Sequence, residues 1–297
     1  MIVLSSATGH IGGRVLAQLL DHDAGVGPQV RVVVRDPAKL PAEVRERVEV
    51  VEGSHRDAAV VDQALAGADA LFWLMPADPT APSIYDTYVT ASIPGAEAVV
   101  RHGVPRVVTV SALGRGTGLY AGHVSASLAM DDLFRSTGAH VRVLANPTFI
   151  DNLERQARSL AAGVLTGTQP ADLEAPMVAT RDIGDAAARL LLDDTWNGQD
   201  TVDLLGPEDL SADDVAAVLS EVLARPVRYE RGDRAADVQT YQRYGMSPAV
   251  AQALVDMDLA KERGLDTAVT RTPKNTTPTT LRQWATEVLR PMIEEMA

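Results

Sequence analysis

Residues 2–20 read Ile2-Val3-Leu4-Ser5-Ser6-Ala7-Thr8-Gly9-His10-Ile11-Gly12-Gly13-Arg14-Val15-Leu16-Ala17-Gln18-Leu19-Leu20. A short apolar run gives way to a turn of small residues, then to apolar residues at helical spacing. The pattern predicts a strand, a tight turn and a helix, the opening of a dinucleotide-binding βαβ unit. Backbone N–H groups at such a helix start face outward, and the helix dipole favours an anion there. Gly9 and Gly12 hold the second and third positions of the glycine fingerprint, where a missing Cβ lets a pyrophosphate approach. The first position is Ser6, whose hydroxyl is expected to reach a phosphate. Thr8, His10 and Ile11 complete the expected phosphate turn.

A second strand is predicted at Val30-Arg31-Val32-Val33-Val34, ending in Arg35. At this place an acidic residue binds a ribose 2′-hydroxyl, whereas arginine accommodates a 2′-phosphate. Arg35, with Lys39 four residues on, therefore argues for NADP(H) over NAD(H). Asp36 is the opposing feature, since its carboxylate could turn toward the ribose.

Further on, strands are predicted at 48–51, 70–75, 106–110 and 141–144, and helical patterns at 57–65, 84–102 and 124–136. Pro94 is expected to kink or break the second of these helices. The alternation predicts an α/β fold, a doubly wound, largely parallel sheet. A strand at 201–205 is expected to rejoin it, and a small mixed C-terminal domain to follow. The expected division is 1–150 with 179–206 as the Rossmann-type domain, and 151–178 with 207–297 as the substrate-binding cap. Met75, Pro76 and the loop to Pro82 follow a strand's carboxyl end, where open α/β sheets bind ligands.

The chain has 297 residues, 46% hydrophobic and 23% charged, as in globular proteins. It has no apolar run near 18 residues, so no membrane span is expected. The first strand begins almost at Met1, so a signal peptide is not expected and a cytoplasmic location is. The absence of cysteine excludes disulfides, thiolate catalysis and cysteine-ligated metals. A formal charge of −13 disfavours nucleic acid as a partner. His55 and Asp57 alone do not make a metal site, and none is assigned.

Five further stretches, together with the first turn Ala7-Thr8-Gly9-His10-Ile11-Gly12, carry a resemblance. They are Val34-Arg35-Asp36-Pro37-Ala38-Lys39, Phe134-Arg135-Ser136-Thr137-Gly138 and Pro147-Thr148-Phe149-Ile150-Asp151-Asn152. Thr180-Arg181-Asp182-Ile183-Gly184-Asp185-Ala186-Ala187 and Leu204-Leu205-Gly206-Pro207-Glu208 complete the set. In order and spacing the chain resembles the NmrA-like atypical short-chain dehydrogenase/reductases over nearly its whole length. The resemblance implies NADP(H) binding, and either reduction of a small molecule or cofactor sensing through a protein partner. The chain departs from the family at Ser127, where reductases of this group often carry a lysine. Nor does Tyr120 begin a Tyr-x-x-x-Lys pair, because Val124 stands at the second position.

The expected function is NADPH-dependent hydride transfer to a quinone, enone or ketone. A catalytically weak, NADP(H)-sensing regulator is the alternative. Tyr120, His123 and Ser111 are the candidate catalytic residues. Ser111 and Pro147 join the cofactor set, and Tyr88, Phe149 and Asn152 are candidates for the substrate. A small-molecule partner is expected, and a homodimer is left open.

Overall fold

The computed structural model describes residues 1–22 and 29–296, side chains 235 and 236 apart. Its strands are β1 (Ile2–Leu4), β2 (Val30–Val34), β3 (Glu49–Glu52), β4 (Ala70–Trp73), β5 (Arg106–Ala112) and β6 (His140–Asn146). They continue with β7 (Thr148–Phe149), β8 (Val164–Gly167), β9 (Ala175–Val178), β10 (Gln199–Asp203), β11 (Asp209–Leu210) and β12 (Arg228–Arg231). The central seven-stranded sheet has the order β10-β6-β5-β4-β1-β2-β3. Every pair from β3 to β5 is parallel, with Ile2 opposite both Val30 and Ala70. β1 and β4 are buried at every residue, as expected of parallel strands covered on both faces. The α/β, Rossmann-type reading of the sequence is thus realised.

Two compact units are present. The first comprises Met1–Ala112, Ser125–Ala145 and Ile183–Val202. Its core holds Trp73, Met130, Phe134, Val107 and Val141. The Trp73 and Phe134 rings lie 5.5 Å apart, and Trp73 Nε1 donates to Ser92 Oγ at 2.9 Å. That bond satisfies the one polar atom of the largest buried side chain. Gly184 explains one stretch of the family resemblance. A Cβ there would meet Arg14 Cβ at 2.6 Å, so the helix Thr180–Leu192 approaches the first helix only because position 184 is glycine. Asp185, the next residue, takes Arg14 in a two-pronged ion pair at 2.6 and 3.0 Å.

The second unit comprises Leu113–Val124, Asn146–Asp182 and Asp203–Ala297. It contains the small sheets β11-β9-β7 and β12-β8. Leu160, Leu219, Leu281, Trp284 and Leu289 form its core. The helix Ala212–Val222 starts in a capping box between Ser211 and Asp214. Asp182 accepts from the Thr279 backbone N–H (3.0 Å) and hydroxyl (2.7 Å).

These units group some segments differently from the expected division. Residues 113–124, 146–150, 179–182 and 203–206 group with the second unit. Leu113 N–H bonds the Asn146 carbonyl (3.0 Å) and Gly206 N–H the Met177 carbonyl (2.8 Å), which ties those segments there. The span 84–102 breaks at Pro94, one of the two outcomes expected there. It divides into helices Ile84–Tyr88 and Ile93–His102 with a 3₁₀ turn between. Pro94 opens the second helix rather than kinking one long one, because its fixed φ and missing N–H suit a first turn.

Candidate functional site

The helix His10–Asp21 is preceded by Gly9, which has no side chain to cap it. Its first-turn N–H groups are therefore left for an incoming anion. Gly12 is buried, and a Cβ on it would lie 2.2 Å from the Ser6 carbonyl oxygen. Ser6 adopts φ +55°, the left-handed region where glycine normally stands. Its hydroxyl donates to the Leu74 carbonyl at 3.1 Å, and Leu74 N–H donates to Ser5 Oγ at 2.9 Å. The serine at the first fingerprint position is thus a strut between the turn and the end of β4. Its proton is held by Leu74 rather than offered to a phosphate. Gly12 thus lets the turn close on the helix, and the exposed Gly9 beside an uncapped helix start fits a dinucleotide pyrophosphate. Thr8, Gly9 and His10 are exposed there and Ile11 is buried beneath.

Arg35 and Lys39 are exposed after β2. Neither has an ion pair among the described residues. Asp36, the opposing feature in the sequence, accepts from Ala38 N–H at 3.0 Å and caps the turn Pro37–Lys39. Its carboxylate is occupied locally, which leaves the cations to define this corner. Beyond β3, Arg56 donates to the Pro76 carbonyl (3.3 Å) and pairs with Asp78 (3.4 Å). It thereby joins the loop after β3 to the loop carrying Pro76; Met75 itself is buried in the core.

His55, next to Arg56, is buried with its ring edge-on to Trp73 at 5.7 Å. Burial, then the charges of Arg56 and Arg35, push its pKa from 6.5 down to about 4. The unfolded chain takes up this proton near pH 6.5, whereas the folded chain waits until about pH 4. Its stability is therefore full above pH 6.5 and falls as the pH drops through that window. At pH 5 the expected loss from this one residue is about 2 kcal/mol relative to pH 7. His55→Phe keeps an aromatic edge on Trp73 and should remove that increment. Denaturant unfolding of both proteins at the two pH values checks it, and equal pH dependence would count against the assignment.

The end of β5 holds a group that the sequence reading found only in part. Ser111 was expected there, and it lies inside the strand, buried. Its hydroxyl donates to Asp131 Oδ2 at 2.6 Å, and Thr109 Oγ1 donates to Asp131 Oδ1 at 3.2 Å. Ser127, where the family lysine would stand, is 3.4 Å from Ser111 Oγ. Asp131 is wholly buried while its neighbour Asp132 is exposed. In sequence the two read only as an acidic pair. The signal was available in the helical spacing of Ser127, Met130, Asp131 and Phe134, all of which are buried.

The other candidates group with the second unit, except Tyr88. Tyr120 is 60% exposed. His123 is buried and hydrogen-bonded to the Val250 backbone, and burial lowers its pKa. It is neutral near pH 7, which suits a hydrogen-bonding role better than that of a cationic acid. Pro147 is buried, Phe149 half-buried and Asn152 exposed. Tyr88 packs against the core of the first unit, and burial pushes its phenol up to about 12.

A family model described as NAD(P)H-binding matches residues 6–194. That span begins at the Ser6 turn and ends beyond the helix that packs on it. The chain belongs to this NAD(P)H-binding family. The match agrees with the NmrA-like resemblance of its sequence. Over 97% of its own length and 97% of the relative's, it is 28% identical to a (4-alkanoyl-5-oxo-2,5-dihydrofuran-3-yl)methyl phosphate reductase of Streptomyces griseus subsp. griseus. An NADPH-dependent quinone oxidoreductase of Escherichia coli, solved with NADPH, superposes with a TM-score of 0.79 at 20% identity, covering 97% of this chain and 99% of that one. The Citrobacter sp. triphenylmethane reductase, solved with NADP(H), gives 0.78 at 19% identity, with both chains covered in full. At these identities the two structures establish the shared fold. Among the described residues, no helix is long and apolar enough to cross a membrane.

Proposed function

We propose that this chain is an NADP(H)-dependent reductase that delivers hydride to a small conjugated carbonyl compound, an enone or a quinone, with simple ketones less suited. The observation that carries the reading is one sheet edge. Two features stand together at the carboxyl ends of parallel strands, the glycine cradle with Arg35 and Lys39, and the Ser111–Asp131 pair. Gly9, Gly12 and the first helical N–H groups would hold the pyrophosphate, and Arg35 and Lys39 the 2′-phosphate. NADPH, when bound, supplies the hydride.

The side chains favour a substrate that needs no strong protein acid. The Ser111 proton is committed to Asp131, so its oxygen serves as an acceptor. Ser127 carries no charge, and His123 is neutral at pH 7. Reduction of a conjugated double bond leaves charge spread over an enolate, which water can protonate afterwards. A simple ketone instead yields a localised alkoxide, for which a strong donor matters more. Orientation and exclusion of water then supply the rate, in favourable cases about 7 kcal/mol or more. The Streptomyces griseus relative, whose named furanone is a conjugated carbonyl compound, supports this substrate class.

The uncharged Ser127 is also the feature that favours the second reading, a cofactor-binding sensor with a protein partner. Following NADPH oxidation with quinones, enones and ketones separates the two. Turnover of conjugated substrates above ketones is the expected result. Tight NADPH binding with background turnover throughout would favour the sensor.

A further inference from the structure

We infer that Asp131 is a positioning residue for the cofactor: it takes the proton of Ser111, so that Ser111 Oγ accepts from the N–H of the nicotinamide carboxamide. The inference rests on the cofactor placement in the reading above and on no other part of it. Every residue concerned lies in the first compact unit. Ser111 stands on the same sheet edge as the glycine turn, two strands over. β1 pairs with β4 and β4 with β5, with Leu4 opposite Phe72 and Trp73 opposite Thr109. Ser6 ties the turn to the carbonyl of Leu74, the residue after β4. Ser111 lies two residues past Thr109 on β5, at the level of that tie. Neighbouring strands are about 4.8 Å apart, so Ser111 is about 10 Å to one side of the turn. Arg35 is on the other side, after β2. A dinucleotide with its 2′-phosphate at β2 and its pyrophosphate at β1 carries its nicotinamide toward β4 and β5. Thr109 and Asp131 are wholly buried, whereas Ser111 and Ser127 keep 7% and 6% exposure, so the buried group reaches the surface through its serines.

The hydrogen bonds decide what Ser111 offers there. An ionised carboxylate only accepts. Asp131 therefore holds the Ser111 proton on Oδ2 (2.6 Å) and the Thr109 proton on Oδ1 (3.2 Å). A serine oxygen has two lone pairs, of which Ser127, 3.4 Å away, can fill one. Toward a ligand Ser111 is then an acceptor, and the carboxamide N–H is the one donor that a nicotinamide ring carries. Stability is not a sufficient reason for the arrangement. A wholly buried carboxylate is costly to a fold, and apolar residues of the same shape serve stability as well. What the carboxylate adds is direction, since it turns both hydroxyl protons inward. A carboxamide held in this way fixes how the ring lies, and with it the face that delivers hydride.

The full chain and two variants, S111A and T109V/D131L, are titrated with three ligands: NADP⁺, its 3-acetylpyridine analogue and 2′-phospho-ADP-ribose. The analogue keeps the carbonyl and puts a methyl in place of the amide NH₂, and the third ligand lacks the ring altogether. The wild type should bind the analogue about tenfold more weakly than NADP⁺, because an acceptor is left facing a methyl. S111A should bind the two within about threefold of each other. T109V/D131L removes the carboxylate together with its threonine partner and keeps Ser111, whose proton can then turn outward to the carbonyl that both ligands carry. Its preference should also fall within about threefold, a change that a merely structural Asp131 would not produce. Binding of 2′-phospho-ADP-ribose should be alike in all three proteins, which reports a folded phosphate site. A wild type that binds NADP⁺ and its analogue equally overturns the inference. So does a T109V/D131L protein that binds 2′-phospho-ADP-ribose and keeps the wild-type preference. The expected preferences without NADPH oxidation on any substrate would overturn the reductase reading alone, and a wild type that binds neither NADP⁺ nor 2′-phospho-ADP-ribose would overturn both.

Discussion

Gly12→Ala is expected to abolish measurable NADPH binding and to lower the melting temperature by about 5 °C. The added Cβ would stand 2.2 Å from the Ser6 carbonyl oxygen, 2.8 Å from its carbon and 3.2 Å from Ala7 Cα. All three are backbone atoms, so no side chain can swing aside. Ser6 is already in the left-handed region, at a cost of about 1–2 kcal/mol. Its hydroxyl on the Leu74 carbonyl ties the turn to β4. Relief of the clash must therefore move the turn, and with it the N–H groups expected to meet the pyrophosphate. Overpacking of this kind costs about 1–3 kcal/mol, and a chain of this size loses about 2–4 °C per kcal/mol. Gly13→Ala is the control. Its Cβ would lie 3.6 Å from the Ala7 carbonyl oxygen, an ordinary contact. That variant should bind NADPH normally and melt no lower than the wild type, because alanine favours the helix. Fluorescence titration of NADPH and a thermal melt check both.

Arg35→Ala should weaken NADPH about tenfold to a hundredfold and leave NADH within about threefold. The range is that of a charge-assisted hydrogen bond to phosphate, about 1.5–3 kcal/mol. Arg35 is exposed, so the wild-type preference should shrink as salt is added. Asp36→Ala separates the two neighbours. The carboxylate caps a short turn and does nothing else among the described contacts. Losing it should cost about 1 kcal/mol or less of stability and leave the NADPH-to-NADH ratio unchanged. Titration of both cofactors decides the point, and equal or tighter NADH binding by the wild type would contradict the NADP(H) assignment.

The cofactor edge was legible because its physics is local. A strand, a glycine turn and a helix are consecutive in sequence, and Arg35 follows its strand directly. The Ser6 bond to Leu74 was not legible, because its partner lies 68 residues away. The strands Val164–Gly167 and Ala175–Val178 escaped notice for a like reason. They are four residues each, one contains Pro176, and β8 finds its parallel partner only at Arg228–Arg231. Asp131 was visible as a residue and hidden as a buried acid. Its meaning comes from Thr109 and Ser111 on another element. Local backbone chemistry was thus readable, and side-chain partnerships across the chain were not.

The central claim, hydride delivery from NADPH to a conjugated carbonyl compound, is tested most directly by isotope transfer. The full-length protein is mixed with NADPH deuterated at C4 on either face, in turn, and an enone, and the product is examined by NMR. The account predicts deuterium on the β-carbon of the product from one face only, one label per NADPH oxidised, with the second hydrogen drawn from solvent. NADPH that binds tightly and keeps its label with every conjugated substrate tried would contradict it.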